Sequence, residues 1–224
     1  MSSLNRKSGE ILRMPHVVLV GDSIFDNAAY TEGGPDVVSQ VRGLLPPGWE
    51  ATLLAVDGSI TDDVPRQIGR LPEQATHLVL SVGGNNALKH LGILETPVSS
   101  MTKAVEALAG IASDFERRYR LAVAACLTAA RPLAVCTIYN GCFDDQSFQR
   151  VASTTLMVFN DAIIRVAIEH ALPVIDLRSV CDTREDYANP IEPSSVGGEK
   201  IARVIVGLVC GARATEPVTQ IVVA

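Results

Sequence analysis

The sequence predicts an α/β fold, a parallel sheet with helices on both faces. Three observations lead there. Short apolar runs alternate with longer stretches of helical periodicity. Aromatic residues make up only 4% of the chain, so the core must be mostly Val, Leu, Ile and Ala, which suits a sheet covered on both sides. Four of the five segments that follow the apolar runs are rich in Gly, Asn, Asp or Ser, and ligands in such sheets sit outside the carboxyl ends of the strands.

HVVLV at 16–20 is the first strand and runs into Gly21, Asp22 and Ser23. PDVVSQVRGLL at 35–45 has helical spacing and stops at Pro46-Pro47-Gly48. EATLLAV at 50–56 is the second strand. TDDVPRQIGRL at 61–71 opens on a Thr or Asp cap and carries Pro65 in its first turn, where a missing N–H does little harm. HLVLSV at 77–82 is the third strand, ending at Gly83-Gly84. From 97 to 125 the apolar residues Val105, Leu108, Ile111 and Phe115 recur at helical spacing. PLAVCTI at 132–138 is the fourth strand, 145–170 a helix, PVIDL at 173–177 the fifth strand and 194–209 the closing helix. Short connections and right-handed crossovers favour the flavodoxin-like order 2-1-3-4-5. The 224 residues suit one domain, placed at 15–210 between a flexible arm (1–14) and a tail (211–224) whose TQIVVA could add an edge strand.

Several functions are argued against by composition and missing motifs. The net charge of −6 lacks the basic footprint of a nucleic-acid binder. The five cysteines include no CxxC pair and read as reduced thiols, with Cys142 the one to watch for reactivity. The N-terminus lacks the apolar region of a secretory signal, and no run reaches the roughly 18–20 apolar residues that span a bilayer, so a cytoplasmic protein is expected. GxGxxG after the first strand, GxxxxGK[ST] and GxSxG are all absent, and the four histidines show no zinc spacing. Asp22, Asp26, Asp57, Asp62 and Asp63 could gather at one sheet end around Mg2+, although caps and turns explain them as well.

What remains is a set of residues suited to acyl transfer. Ser23 directly follows the first strand, where its hydroxyl would face the crevice. Gly58, after the second strand, can bring a bare backbone N–H to a ligand. Asn85, after the third, can donate from its side-chain amide to a developing oxyanion. A nucleophile and two oxyanion donors on three strand ends, with GDS at 21–23, DGSITDD from Asp57 and GGNN at 83–86, resemble the SGNH hydrolases, the GDSL-type esterases and lipases. The resemblance covers 16–209 and implies a three-layer α/β/α fold. It also implies an acyl-enzyme on Ser23, an oxyanion held by the N–H groups of Ser23 and Gly58 and the amide of Asn85, a small-molecule acyl ester as substrate, and no cofactor. Asn86 stands where the family has aspartate. Asp22, Asn86, His90 and Phe143 are expected to line the substrate site. Phe148 and Phe159 are further candidates for the acyl pocket.

The late block departs from the family. Its Asp-x-x-His is replaced by Asn189 and Glu192, while the surrounding Pro193, Ser194, Gly197 and Gly198 are retained. A glutamate is ordinarily a weaker base than histidine by about two pKa units, and burial narrows the gap. It needs no aspartate to orient it, and Asn189 could donate a hydrogen bond to its carboxylate where aspartate could not. His90 is a second candidate base. His16, His77 and His170 fall at the far end of the sheet. The sequence thus points to a serine esterase for small or medium acyl esters, with Glu192 in place of histidine. The alternative is a catalytically impaired protein that binds an acylated ligand or a partner.

Overall fold

The computed structural model describes residues 14–211 and 221. The arm over 1–13 and, apart from Ile221, the edge strand suggested for TQIVVA lie outside the described residues. Five parallel strands form one sheet in the order β2-β1-β3-β4-β5: β1 His16–Gly21, β2 Glu50–Leu53, β3 His77–Ser81, β4 Leu133–Cys136 and β5 Val174–Ile175. The helices are α1 Val37–Leu44, α2 Val64–Ile68, α3 Gly84–Leu88, α4 Met101–Leu127, α5 Gln146–Glu169, α6 Leu177–Val180 and α7 Ser195–Val209.

Side chains alternate along β1. Val18 and Val20 join the core beneath α4 and α5, whereas Val17 and Leu19 join the core beneath α1 and α7. This two-sided burial makes each strand read as an unbroken apolar run. α4 packs on α5 across one face, and α1 on α7 across the other. α5 is long and apolar enough to cross a membrane by length and composition. Much of its hydropathy comes from Phe159, Ala162, Ile163, Val166 and Ala167, all buried in the core.

The strands are shorter than the apolar runs suggest. β2 ends at Leu53, β4 at Cys136, and β5 has only two residues. Leu54 and Ala55 still send their N–H groups to the Leu19 carbonyl, but the ladder has already splayed. The segment 61–71 is a 3-10 turn, Thr61–Asp63, followed by the short α2, which carries Pro65 in its first turn and ends at Gly69.

Gly21 fixes the end of β1. Its φ is +133°, and a Cβ there would lie 1.7 Å from the Ser81 carbonyl oxygen of β3. The next N–H, of Asp22, bonds that same oxygen at 3.1 Å. The backbone therefore turns out of the sheet immediately before Ser23. We predict that Gly21→Ala costs more than about 3 kcal/mol in urea unfolding, from overlap added to backbone strain.

Candidate active site

The loops after β1, β2 and β3 are fused by buried amides. The Gln67 side chain accepts from Gly21 N–H at 2.8 Å and donates to Gly21 O at 2.8 Å and to Ser59 Oγ at 3.2 Å. Asn85 Nδ2 donates to Ser59 O at 3.0 Å, leaving its second hydrogen for another acceptor. Gly58, next to Ser59, has φ +76°, a left-handed conformation that glycine adopts without strain. The N–H groups of Ser23 and Gly58 have no protein acceptor among the described residues. Asn86 does different work: it accepts from Thr61 N–H at 3.1 Å and donates to Thr61 Oγ1 at 3.0 Å, fastening the β2 loop to α3.

Ser23 and Glu192 meet across the top of the sheet. Ser23 Oγ donates to Glu192 Oε1 at 3.1 Å, with both residues more than nine-tenths buried. Glu192 Oε2 is buried with no hydrogen-bond partner among the described residues. Loss of hydration raises the Glu192 carboxyl to about 7; the Ser23 hydrogen bond opposes this and the Asp57 charge adds to it. Asp22, beside Ser23, is also pushed up to about 7, first by burial. N–H groups of Ile24 and Gly83 hold it down in part, and the nearby Glu192 raises it further.

The chain around Glu192 is pinned at every peptide. Asn189 Oδ1 accepts from the N–H groups of Ile191 and Glu192, both at 3.0 Å. The Glu192 carbonyl accepts from Ala188 N–H at 2.9 Å. Tyr139 Oη donates to Ile191 O at 2.6 Å, and Asn27 Nδ2 to Pro193 O at 3.1 Å. Asn27 is fully buried and also accepts from Val37 N–H at 2.9 Å, so it links the β1 loop to the Glu192 loop. Below it, buried Asp186 takes the N–H groups of Asp182 and Thr183 and an ion pair from Lys200 at 2.8 Å. Asn189 therefore shapes the loop through its oxygen, and the expected donation to the Glu192 carboxylate is not made. The reason is local, since its own turn offers two backbone donors.

A cleft open to solvent leads away from Ser23 between α3, α4 and α5. Asp22, Ser23, Asn85, His90, Phe143 and Glu192 line it; Gly58 and Asn86 do not. Phe159 lines its floor, and Phe148 lies edge-on to Phe143 at 4.8 Å. His90, exposed before the 3-10 turn Leu91–Glu95, makes no hydrogen bond to Ser23. His16 is buried with Nε2 2.8 Å from Thr52 Oγ1 at the start of β1. Among the described residues no three His, Cys, Asp or Glu side chains are grouped to hold a metal ion. Asp62 pairs with Arg118, Asp63 caps Ile60 N–H, and Asp26 accepts from Asp57 N–H. The five cysteines are free thiols, and burial pushes Cys126 and Cys181 up to about 12. Cys142 is half-buried, with Arg184 Nη1 3.5 Å from its sulfur.

Over residues 19–197 the sequence matches the model of the GDSL-like lipase/acylhydrolase family. The chain belongs to that family. Solved structures agree on the fold. An extracellular lipase from Streptomyces rimosus superposes with a TM-score of 0.65 at 13% identity, covering 89% of this chain and 99% of that one. A lipase/acylhydrolase from Enterococcus faecalis gives 0.64 at 20% identity, with 88% and 96% covered. An aryl esterase from M. smegmatis gives 0.63 at 12% identity, with 88% and 99% covered. No curated protein matches the sequence significantly.

Sequence reasoning missed Asn27, Gln67, Tyr139 and Asp186. Asn27 and Tyr139 do follow strand ends, which is the signal that could have found them.

The buried carboxyl makes stability depend on pH. Glu192 holds its proton more tightly in the folded chain than in the unfolded one, so the stability it contributes is complete below about pH 4.5 and is lost as pH rises through about 7. Glu192→Gln keeps the hydrogen-bond acceptor and removes that loss. The variant should match wild type near pH 4 and melt higher at pH 8, by about 2–4 °C for each kcal/mol recovered. Equal melting shifts at both pH values would contradict this.

Proposed function

We propose that this family member is a serine esterase that cleaves acyl esters through an acyl-enzyme on Ser23, with Glu192 as the general base. The observation that carries the reading is the buried hydrogen bond from Ser23 Oγ to Glu192 Oε1, at 3.1 Å. The serine proton is already aimed at a carboxylate whose pKa, near 7, suits proton exchange at neutral pH.

In this reaction Glu192 takes the hydroxyl proton as Oγ forms a bond to the ester carbonyl carbon. The carbonyl electron pair moves onto oxygen, and that oxyanion is held by the N–H groups of Ser23 and Gly58 and the free hydrogen of Asn85 Nδ2. Collapse breaks the bond to the alcohol oxygen, which leaves with the proton from Glu192. Water then attacks the acyl-serine and gives a proton to Glu192, the acid departs, and Ser23 recovers its hydrogen. Asn189, Tyr139 and Asn27 act by holding the Glu192 backbone still. The cleft favours a medium aliphatic acyl group over an acetyl group, because its walls are apolar well beyond Ser23.

Two experiments test this. Ser23→Ala should abolish both fluorophosphonate labelling and hydrolysis of p-nitrophenyl octanoate. Glu192→Gln should keep the fold and lower kcat about 10²–10⁴-fold, the usual effect of removing a general base. Wild type that is folded yet inert to both reagents would favour the alternative, a protein that binds an acylated ligand without turning it over. Tyr139→Phe should lower kcat more than it raises KM, because the substrate surface is kept while the base is loosened.

A further inference from the structure

We propose that Gln67 is a positioning residue of the oxyanion site: its buried amide sets where Ser23 lies relative to the donors Gly58 and Asn85, and so governs turnover without touching substrate. This rests on the esterase reading of Ser23.

The need for such a residue comes from the end of the sheet. Up to Leu53, β2 runs beside β1 in regular register. Beyond it the strand splays, and Leu54 and Ala55 both turn their N–H groups to Leu19 O. Val56 N–H still reaches Gly21 O at 3.1 Å, but no β2 carbonyl is left for Gly21 N–H. Gln67 fills that place. Its Oε1 accepts from Gly21 N–H and its Nε2 donates to Gly21 O, both at 2.8 Å, as a peptide of a neighbouring strand would. The second Nε2 hydrogen goes to Ser59 Oγ at 3.2 Å. Every hydrogen of the amide is then used, and exchanging its O and N would set donor against donor and acceptor against acceptor. The buried amide therefore has one orientation. α2 delivers it: Val64 and Gln67 are the buried residues of that short helix.

The two ends of this clamp are the two halves of the proposed reaction centre. Gly21 lies two residues before Ser23. Ser59 follows Gly58, and its carbonyl accepts from Asn85 Nδ2 at 3.0 Å, which turns the other amide hydrogen outward. A shift of Ser59 thus moves the Gly58 N–H and the Asn85 amide together relative to Ser23. Gln67 does not line the cleft and makes no hydrogen bond to the Glu192 loop among the described residues. The bonds between Asn86 and Thr61 fasten the β2 loop to α3 independently of it.

The test is kinetic, with p-nitrophenyl octanoate and four variants of the full chain: Gln67→Met, Ser59→Ala, Asn85→Ala and Gln67→Met with Asn85→Ala. A misplacement of about 1 Å costs about 10²-fold in rate. Gln67→Met should accordingly lower kcat about 10- to 100-fold and leave KM within about twofold. Ser59→Ala, which breaks only the Nε2 bond to Oγ, should lower kcat by a smaller factor in the same pattern. In the Asn85→Ala background Gln67→Met should cost about threefold or less, because the donor it holds is gone. The pH midpoint of fluorophosphonate labelling should stay at the wild-type value, because Glu192 is untouched. A full Gln67→Met loss in the Asn85→Ala background, a rise in KM with kcat unchanged, or a displaced pH midpoint would each overturn the proposal. Should Gln67→Met not fold, the same cycle with Ser59→Ala decides. Ser23-dependent turnover that Gln67→Met and Ser59→Ala leave unchanged sinks only this inference; a folded wild type without turnover sinks the esterase reading and this inference with it.

Discussion

A carboxylate held out of water beside a serine hydroxyl, with no cation paired to it among the described residues, sets the terms for the loops above the sheet. Glu192 gives one oxygen to Ser23 and leaves the other unpartnered, and such burial raises the energy of the ionised form. That cost is tolerable only where the surrounding backbone does not relax. A glutamate side chain also has more rotatable bonds than the histidine expected in this family, so its backbone must be fixed to place Oε1. The five hydrogen bonds that this backbone makes with Asn189, Ala188, Tyr139 and Asn27 do this. Asp186 and Lys200 anchor the loop base on α7. The Gly21 turn positions Ser23 from the other side, against the β3 carbonyl.

Much of this was legible in the sequence. The apolar runs located all five strands, because a sheet covered on both faces needs apolar residues at consecutive positions. The order 2-1-3-4-5 followed from connection length and handedness, and Ser23, Asn85 and Glu192 were read from their places after strand ends or within a retained frame. The strand ends were not legible, since Leu54 and Ala55 are buried and apolar yet have left the ladder. Nor was the role of Asn189: donor and acceptor ends of an amide look the same in sequence, and the choice was made by two N–H groups of its own turn. Tyr139 and Asn27 stayed hidden because each reaches a carbonyl far along the chain, 52 and 166 residues away. Gln67 looked like an ordinary helix residue, and only the fold brings it beneath Gly21.

Replacing histidine by glutamate changes the electrostatics of the whole centre. A neutral imidazole becomes positively charged when it accepts the serine proton and so balances the oxyanion. In the proposed reaction a carboxylate starts negative and becomes neutral, which would leave the oxyanion to the N–H groups and Asn85. Asp22 and Asp57 add to the negative field instead of relieving it. Asp57 raises the basicity of Glu192.

The most direct test of Glu192 as the base is the rate of fluorophosphonate labelling of Ser23 as a function of pH, in wild type and in Glu192→Gln. Raising the pH through about 7 ionises Glu192, so the wild-type rate should climb with a midpoint near that value and then level off. The Gln variant should be slow and without that midpoint. A variant that labels as fast as wild type, with the same pH profile, would contradict the account and move the base elsewhere.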